Sequence, residues 1–187
     1  MLLPALSKAR AKARAISCVN NLKHIGLYMV MYTHDYEGHF PDPIADYYDN
    51  VNNWAVVLYK YYDGSDKDTP QLSQTKDKTF HCPAQSQFPW RSYAANVYTP
   101  YDAIDTWVNQ TAKVMLADGE APADSPKCLA LWNVTWIPEG EMSYRHDNKT
   151  NVTFIDGHVE TKKKGYFYIS ASGGDDAWKS YMHPSFK

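Results

Sequence analysis

From its second residue the chain repeats apolar side chains at steps of three and four: Leu2, Leu6, Ala9, Ala13, Ile16, Val19, Leu22, Ile25, Met29, Tyr32 and Tyr36. That spacing is the helical period, and no strand could keep those side chains on one face. Pro4 is tolerated near a helix start, while Gly38 and then Pro41 supply a stop. The spacing therefore predicts one helix over residues 2–37, roughly 50 Å long at 1.5 Å per residue. A rod of that length exceeds the diameter of any head the remaining residues can build, so part of it should protrude or pack elsewhere.

Charge along this helix is one-sided. Lys8, Arg10, Lys12, Arg14 and Lys23 precede Asp35, the first acidic residue. Three readings fit: a solvated polar face, an acid-poor organelle transit peptide, or a segment beside a membrane that follows an apolar stretch. The transit peptide fits less well, because the stripe continues without a break into residues with a core-like pattern. No apolar run reaches the roughly 18 residues that span a bilayer, and the chain as written reads as soluble. A net charge of −2 over 187 residues gives no reason to expect nucleic acid.

Beyond residue 40 the pattern changes. Trp54, Val57, Leu58, Tyr61 and Tyr62 share one face of a short helix, capped by Asn52 or Asn53. Residues 63–78 are polar, contain Gly64 and Pro70, and read as an exposed loop. Strands are predicted at 92–98, 113–117, 131–137, 142–145, 151–155 and 158–162. The last two flank Asp156-Gly157, a type I′ hairpin signal. Helices followed by strands, without alternation, predict an α+β fold with an antiparallel sheet. Residues 1–38 would form the helix and 39–187 a β-rich head, the two making one structural unit. The tail, with Trp178, Tyr181 and Phe186, would dock on the head or on a neighbour.

Two stretches carry a family likeness. One is Leu2-Leu3-Pro4-Ala5-Leu6-Ser7-Lys8-Ala9-Arg10, continuing through Cys18-Val19-Asn20-Asn21-Leu22-Lys23-His24-Ile25-Gly26 to Tyr32, Asp35-Tyr36, Gly38 and Phe40-Pro41. The other is Tyr144-Arg145-His146 with Asn151-Val152-Thr153-Phe154-Ile155-Asp156-Gly157-His158-Val159-Glu160. Phe80-His81-Cys82-Pro83 and Ser92-Tyr93-Ala94-Ala95-Asn96 fit the same pattern. Together they resemble bacterial proteins with a prepilin-type N-terminal cleavage and methylation segment, relatives of type II secretion pseudopilins and type IV pilins. The resemblance implies a pilin-like fold, a long N-terminal helix on a small antiparallel head. It implies a structural filament or pseudopilus subunit that associates with itself and with other pilin-like subunits, and no catalysis.

In that family an apolar segment precedes Leu-Leu-Pro-Ala-Leu and anchors the subunit in the inner membrane before assembly. The expected location then changes from soluble to the cell envelope, outside the inner membrane. The assembly helix would use Leu2, Leu6, Ala9, Ala13, Ile16, Val19, Leu22, Ile25 and Met29, with Ile16 to Tyr36 holding the head. Three cysteines, Cys18, Cys82 and Cys128, lack the spacing of a zinc knuckle or a CxxC pair. An oxidising compartment would permit a Cys18–Cys82 disulfide; two buried free thiols are the alternative.

Asp118, His146, Asp156 and His158, with Asp147 and Glu120 nearby, are the candidates for a metal of mixed nitrogen and oxygen ligands. Calcium enters through the pseudopilin resemblance, while the turn alone accounts for Asp156-Gly157. No GxSxG elbow, HExxH helix, phosphate-cradling glycine loop or Cys with an evident His partner appears. Asn-x-Thr sequons at Asn109, Asn133, Asn148 and Asn151 fit an exposed surface. Fifteen Tyr and six Trp leave a second reading, a surface-anchored carbohydrate-binding or adhesive protein. It would use Tyr47-Tyr48, Tyr59 to Tyr62 and Tyr98 to Tyr101.

Overall fold

A computed structural model describes residues 2–42, 54–64, 78–85, 92–96, 103–119, 130–131 and 142–166. The first helix, α1, runs Leu2–Asp35, and a second, α2, runs Trp54–Asp63. Strands follow at Tyr93–Asn96 (β1), Val114–Asp118 (β2), Ala130–Leu131 (β3), Lys149–Phe154 (β4) and Val159–Lys163 (β5). They form one sheet in the order β3-β1-β2-β4-β5. The pairs β1–β2, β2–β4 and β4–β5 are antiparallel, with Tyr93 opposite Asp118 and Ala117 opposite Val152. The fold is α+β, a long N-terminal helix packed on this sheet. The expectation of a wholly antiparallel sheet needs one correction, because the two-residue β3 pairs parallel to β1.

The end of α1 explains itself. Glu37 and Gly38 both have positive φ, and the Gly38 N–H donates to Thr33 O at 2.8 Å. This six-to-one bond is a Schellman cap, which satisfies a carbonyl that the helix leaves open. Tyr36 therefore lies past the last helical residue and is exposed, rather than on the face that holds the head.

Only the second half of α1 is packed. Cys18, Leu22, Ile25 and Met29 are buried, with Thr33 closing the row. Gly26 sits where the helix comes closest to the sheet: a Cβ there would lie 2.9 Å from Thr153 Cγ2 on β4. Residues 3–14 are exposed throughout, and Ile16 is 62% exposed. The reading that Ile16 opens the head-holding stripe is thus corrected, and the cause is geometric. Ala13, Ile16, Val19, Leu22 and Ile25 are four successive steps of three. Each falls about 60° short of a full turn at ~100° per residue. The apolar line therefore winds to the opposite side of the helix. Leu6, Ala9 and Ala13 face one way, and Leu22, Ile25 and Met29 the other.

Helix α2 buries Trp54, Ala55, Val56 and Leu58, while Val57 is half-buried. Its tyrosines meet those of α1: Tyr28 stacks on Tyr62 at 4.3 Å between ring centroids, and Tyr61 packs edge-on to Tyr32. The Tyr61 hydroxyl donates to Asp35 Oδ2 at 2.5 Å, and that bond holds the phenol up at about 12.

The β4–β5 hairpin forms, but by a different turn. Gly157 has a φ of 85° and Asp156 does not have a positive φ. Gly157 N–H bonds Phe154 O, and Phe154 N–H bonds His158 O. That is a three-residue loop, a type I turn closed by a left-handed glycine, not the type I′ pair expected. Two consecutive left-handed residues occur instead at Asp147 and Asn148. The segment 142–145 makes single bridges, Gly119 to Met142 and Arg145 to Lys149, rather than a strand. Among the described residues no helix is long and apolar enough to cross a membrane. The Asn52 or Asn53 cap, the 65–77 loop, residues 132–137 and the aromatic tail lie outside the described residues.

Candidate functional site

Halfway along α1, five stretches of chain distant in sequence meet at one buried point. Cys18 of α1 and Cys82 are joined by a disulfide that spans 64 residues, with Cα atoms 5.2 Å apart. One turn further along, Asn21 Nδ2 reaches His81 O at 2.9 Å and the Tyr93 hydroxyl at 3.1 Å. Cys82 N–H donates to Ser92 Oγ at 2.8 Å, and Ser92 N–H to Phe80 O. The helix is thus held to the head by a covalent bond and a polar row in register with it.

Behind the disulfide lies a His–carboxyl pair. The left-handed turn at Asp147 and Asn148 folds the segment before β4 back on itself, with His146 N–H bonded to Lys149 O. His146 Nε2 then lies 3.5 Å from Cys82 Sγ and 3.5 Å from Asp118 Oδ2. Asp118 is fully buried at the end of β2, where Oδ2 accepts the Asn151 N–H at 2.7 Å. Its other oxygen, Oδ1, has no hydrogen-bond partner among the described residues. Arg145 fastens the rim by bonds to Ser143 Oγ, Gln85 Oε1 and Gly119 O.

Two titrations follow from this burial. The Tyr93 phenol is pushed well above its ordinary value, first by desolvation and then by the neighbouring Asp118. His81 is held below its usual range by desolvation, with Lys78 and Arg145 adding repulsion.

The four residues expected to share a metal are split into two pairs. Asp118 and His146 meet at the buried point. Asp156 and His158 meet 2.5 Å apart at the exposed hairpin tip, with Glu160 3.2 Å from His158 Nε2. The pairs sit beside opposite ends of β4, since Asp118 bonds Asn151 while Asp156 follows Phe154. One ion cannot use all four. Calcium takes about six to eight oxygens, and among the described residues neither pair with its neighbours assembles such a set. Asn151 is buried, so its sequon cannot lie on an exposed surface.

Sequence reasoning paired no His with a cysteine. The partner of Cys82 is His146, 64 residues on. The signal that could have found it is Asp147-Asn148, the residue types that tolerate the left-handed turn aiming His146 inward. The sulfur that His146 faces is committed to the disulfide, so the pair carries no thiolate nucleophile. Tyr62 stacks on Tyr28 of α1 and on Phe80 and meets Tyr59 edge-on, while Tyr61 packs edge-on to Tyr32. Tyr47-Tyr48 and Tyr98 to Tyr101 lie outside the described residues.

A family model, SBP_bac_10, described as "Protein of unknown function (DUF1559)", matches residues 7–127. No curated protein matches, and no solved structure matches.

Proposed function

The chain belongs to the DUF1559 family, and from the division of labour along its helix we propose that it is a structural subunit of a pilus- or pseudopilus-like filament. It would act by self-association in the cell envelope, outside the inner membrane. One observation carries this reading. The head-facing side chains Leu22, Ile25 and Met29 are buried, while Leu3 and Leu6, 81% and 49% exposed, are left to solvent on the same continuous helix. A monomer gains nothing from an exposed apolar stripe about 20 Å long. In a bundle of such helices the stripe is covered by neighbours, and the acid-free N-terminal half suits a place beside anionic headgroups before assembly.

The test is concentration-dependent assembly of the chain with an apolar lead segment fused ahead of Met1, followed by light scattering and electron microscopy. Filaments or discrete oligomers, lost on replacing Leu6 and Ile16 by Asp with the head still folded, are expected. A strictly monomeric chain at all concentrations, in detergent and out of it, overturns the reading.

A further inference from the structure

We infer that, once its disulfide is reduced, this protein binds one zinc-like divalent cation through Cys18 Sγ, Cys82 Sγ, His146 Nε2 and the Asp118 carboxylate. The two sulfurs and Nε2 all lie within 4.8 Å of one another and all three residues are buried. Tetrahedral ligands at ~2.3 Å for sulfur and ~2.0 Å for nitrogen or oxygen stand about 3.3–3.8 Å from each other. The distance from His146 Nε2 to Cys82 Sγ, 3.5 Å, already matches such an edge, and Asp118 Oδ2 lies 3.5 Å from the same nitrogen. The second is long for a direct N–H to oxygen hydrogen bond. The sulfurs must separate and the Asp118 carboxylate must turn in, since Asp118 lies outside that three-residue cluster; side-chain rotation supplies this, because Cα atoms 5.2 Å apart do not hold the thiolates together.

The carboxylate provides the independent sign. Asp118 is fully buried, yet its Oδ1 has no partner among the described residues, a costly state for a polar atom. Its Oδ2 is held by the Asn151 N–H, the kind of outer contact that orients a metal ligand. Two thiolates, one imidazole and one carboxylate suit zinc and fit calcium poorly.

The chemistry balances. Two equivalents of a low-molecular-weight thiol give up two electrons and two protons and become a disulfide. The Cys18–Cys82 bond breaks to two thiols, and the cation then displaces both protons to solvent. Four protein ligands leave no open position, so the ion would be structural. It would hold α1 to the head before oxidation, and the disulfide would hold the same join afterwards.

The test uses the full chain with Cys128→Ser, to leave only the two cysteines in question. Zinc is offered to oxidised and dithiothreitol-reduced protein against a chromophoric chelator, and cobalt is used as a spectroscopic stand-in. The reduced protein should take one zinc per chain, and the oxidised protein none. Cobalt should give thiolate charge-transfer bands and tetrahedral ligand-field bands. His146→Ala and Asp118→Asn should each weaken zinc by more than about a hundredfold, beyond the effect of losing an outer contact. If reduction unfolds the chain, or a variant fails to fold, zinc added to the reduced parent must restore its helical circular dichroism. Zinc left with the chelator, affinity unchanged by His146→Ala, octahedral cobalt, or no recovery of a reduced unfolded chain overturns the proposal.

Discussion

The two halves of α1 are one uninterrupted helix, yet they meet different surroundings. In the half from Cys18 onward, a face of Cys18, Leu22, Ile25 and Met29 is sealed against the sheet, with Gly26 marking the closest approach. In the half before it, every side chain from Leu3 to Arg14 is exposed, apolar and basic alike. Propensity runs the other way: twelve of the sixteen residues 2–17 are Ala, Leu, Lys or Arg, while residues 18–35 carry five strong helix formers among eighteen. The difference lies in where the apolar line points, and four steps of three turn that line to the far side just as the head begins. Isolated helix is marginal in water unless tertiary packing supports it. The free half therefore depends on the clasped half to hold it in register, and the disulfide sits at the boundary between them.

That dependence makes the disulfide the place where the comparison breaks most visibly. Cross-linking across 64 residues removes about 4 kcal/mol of chain entropy from the unfolded state in the loop-closure account. With chelator present, a Cys18→Ser, Cys82→Ser double variant should lose about that much in urea unfolding. It should also lose helical signal from the free half first, as fraying reaches the boundary. A loss under about 1 kcal/mol would mean that the polar row around Asn21 and Ser92 alone secures the helix.

A smaller effect sharpens the contrast within one residue type. Leu22 is fully buried and Leu6 is half exposed. Leu22→Ala should destabilise the chain by about 3 kcal/mol through lost burial and a residual cavity. Leu6→Ala should change unfolding by less than about 0.5 kcal/mol, and should instead weaken assembly in the fused form. Equal effects of the two on unfolding would erase the distinction between the halves.

How much of this was legible follows from the same residues. Leu22, Ile25 and Met29 were readable as a helical face, and so was the stop at Gly38, because both depend on local spacing. Ile16 was misplaced because a stripe read in steps of three and four does not show the angle those steps accumulate. Val152 to Phe154 read as a strand from their apolar and β-branched character. The turn after them was recognised by its glycine, but its type depends on whether Asp156 also takes positive φ, which Asp-Gly alone does not decide. The clasp itself was hidden. Cys18, Cys82, Asp118 and His146 come from four separate elements, and no local spacing relates them. Asp118 and His146 were singled out as chemistry-bearing, but grouped with Asp156 and His158 by sequence proximity. The sheet separates them, since three steps of extended β4 chain carry Phe154 about 10 Å from Asn151, and Asp156 lies in the turn beyond it.

Alkali offers the mildest probe, one that touches only the clasped half. Tyr93 is buried, accepts the Asn21 side-chain N–H and lies opposite Asp118. Desolvation and that neighbour both raise its phenol above the ordinary ~10 of an unfolded chain. Below that value the phenol is protonated in both states, and its contribution to stability is complete. Above it the unfolded chain releases a proton that the folded chain retains, so stability falls as pH rises toward the folded value. Tyr93→Phe should cost about 1 kcal/mol at neutral pH for the lost hydrogen bond. Because Tyr32 and Tyr61 are raised as well, both proteins should lose stability in alkali, and the variant more gently. Urea midpoints measured from neutrality to high pH would check this. Parallel profiles would show that Tyr93 is reached by solvent and that the row joining Asn21 to the sheet is not closed.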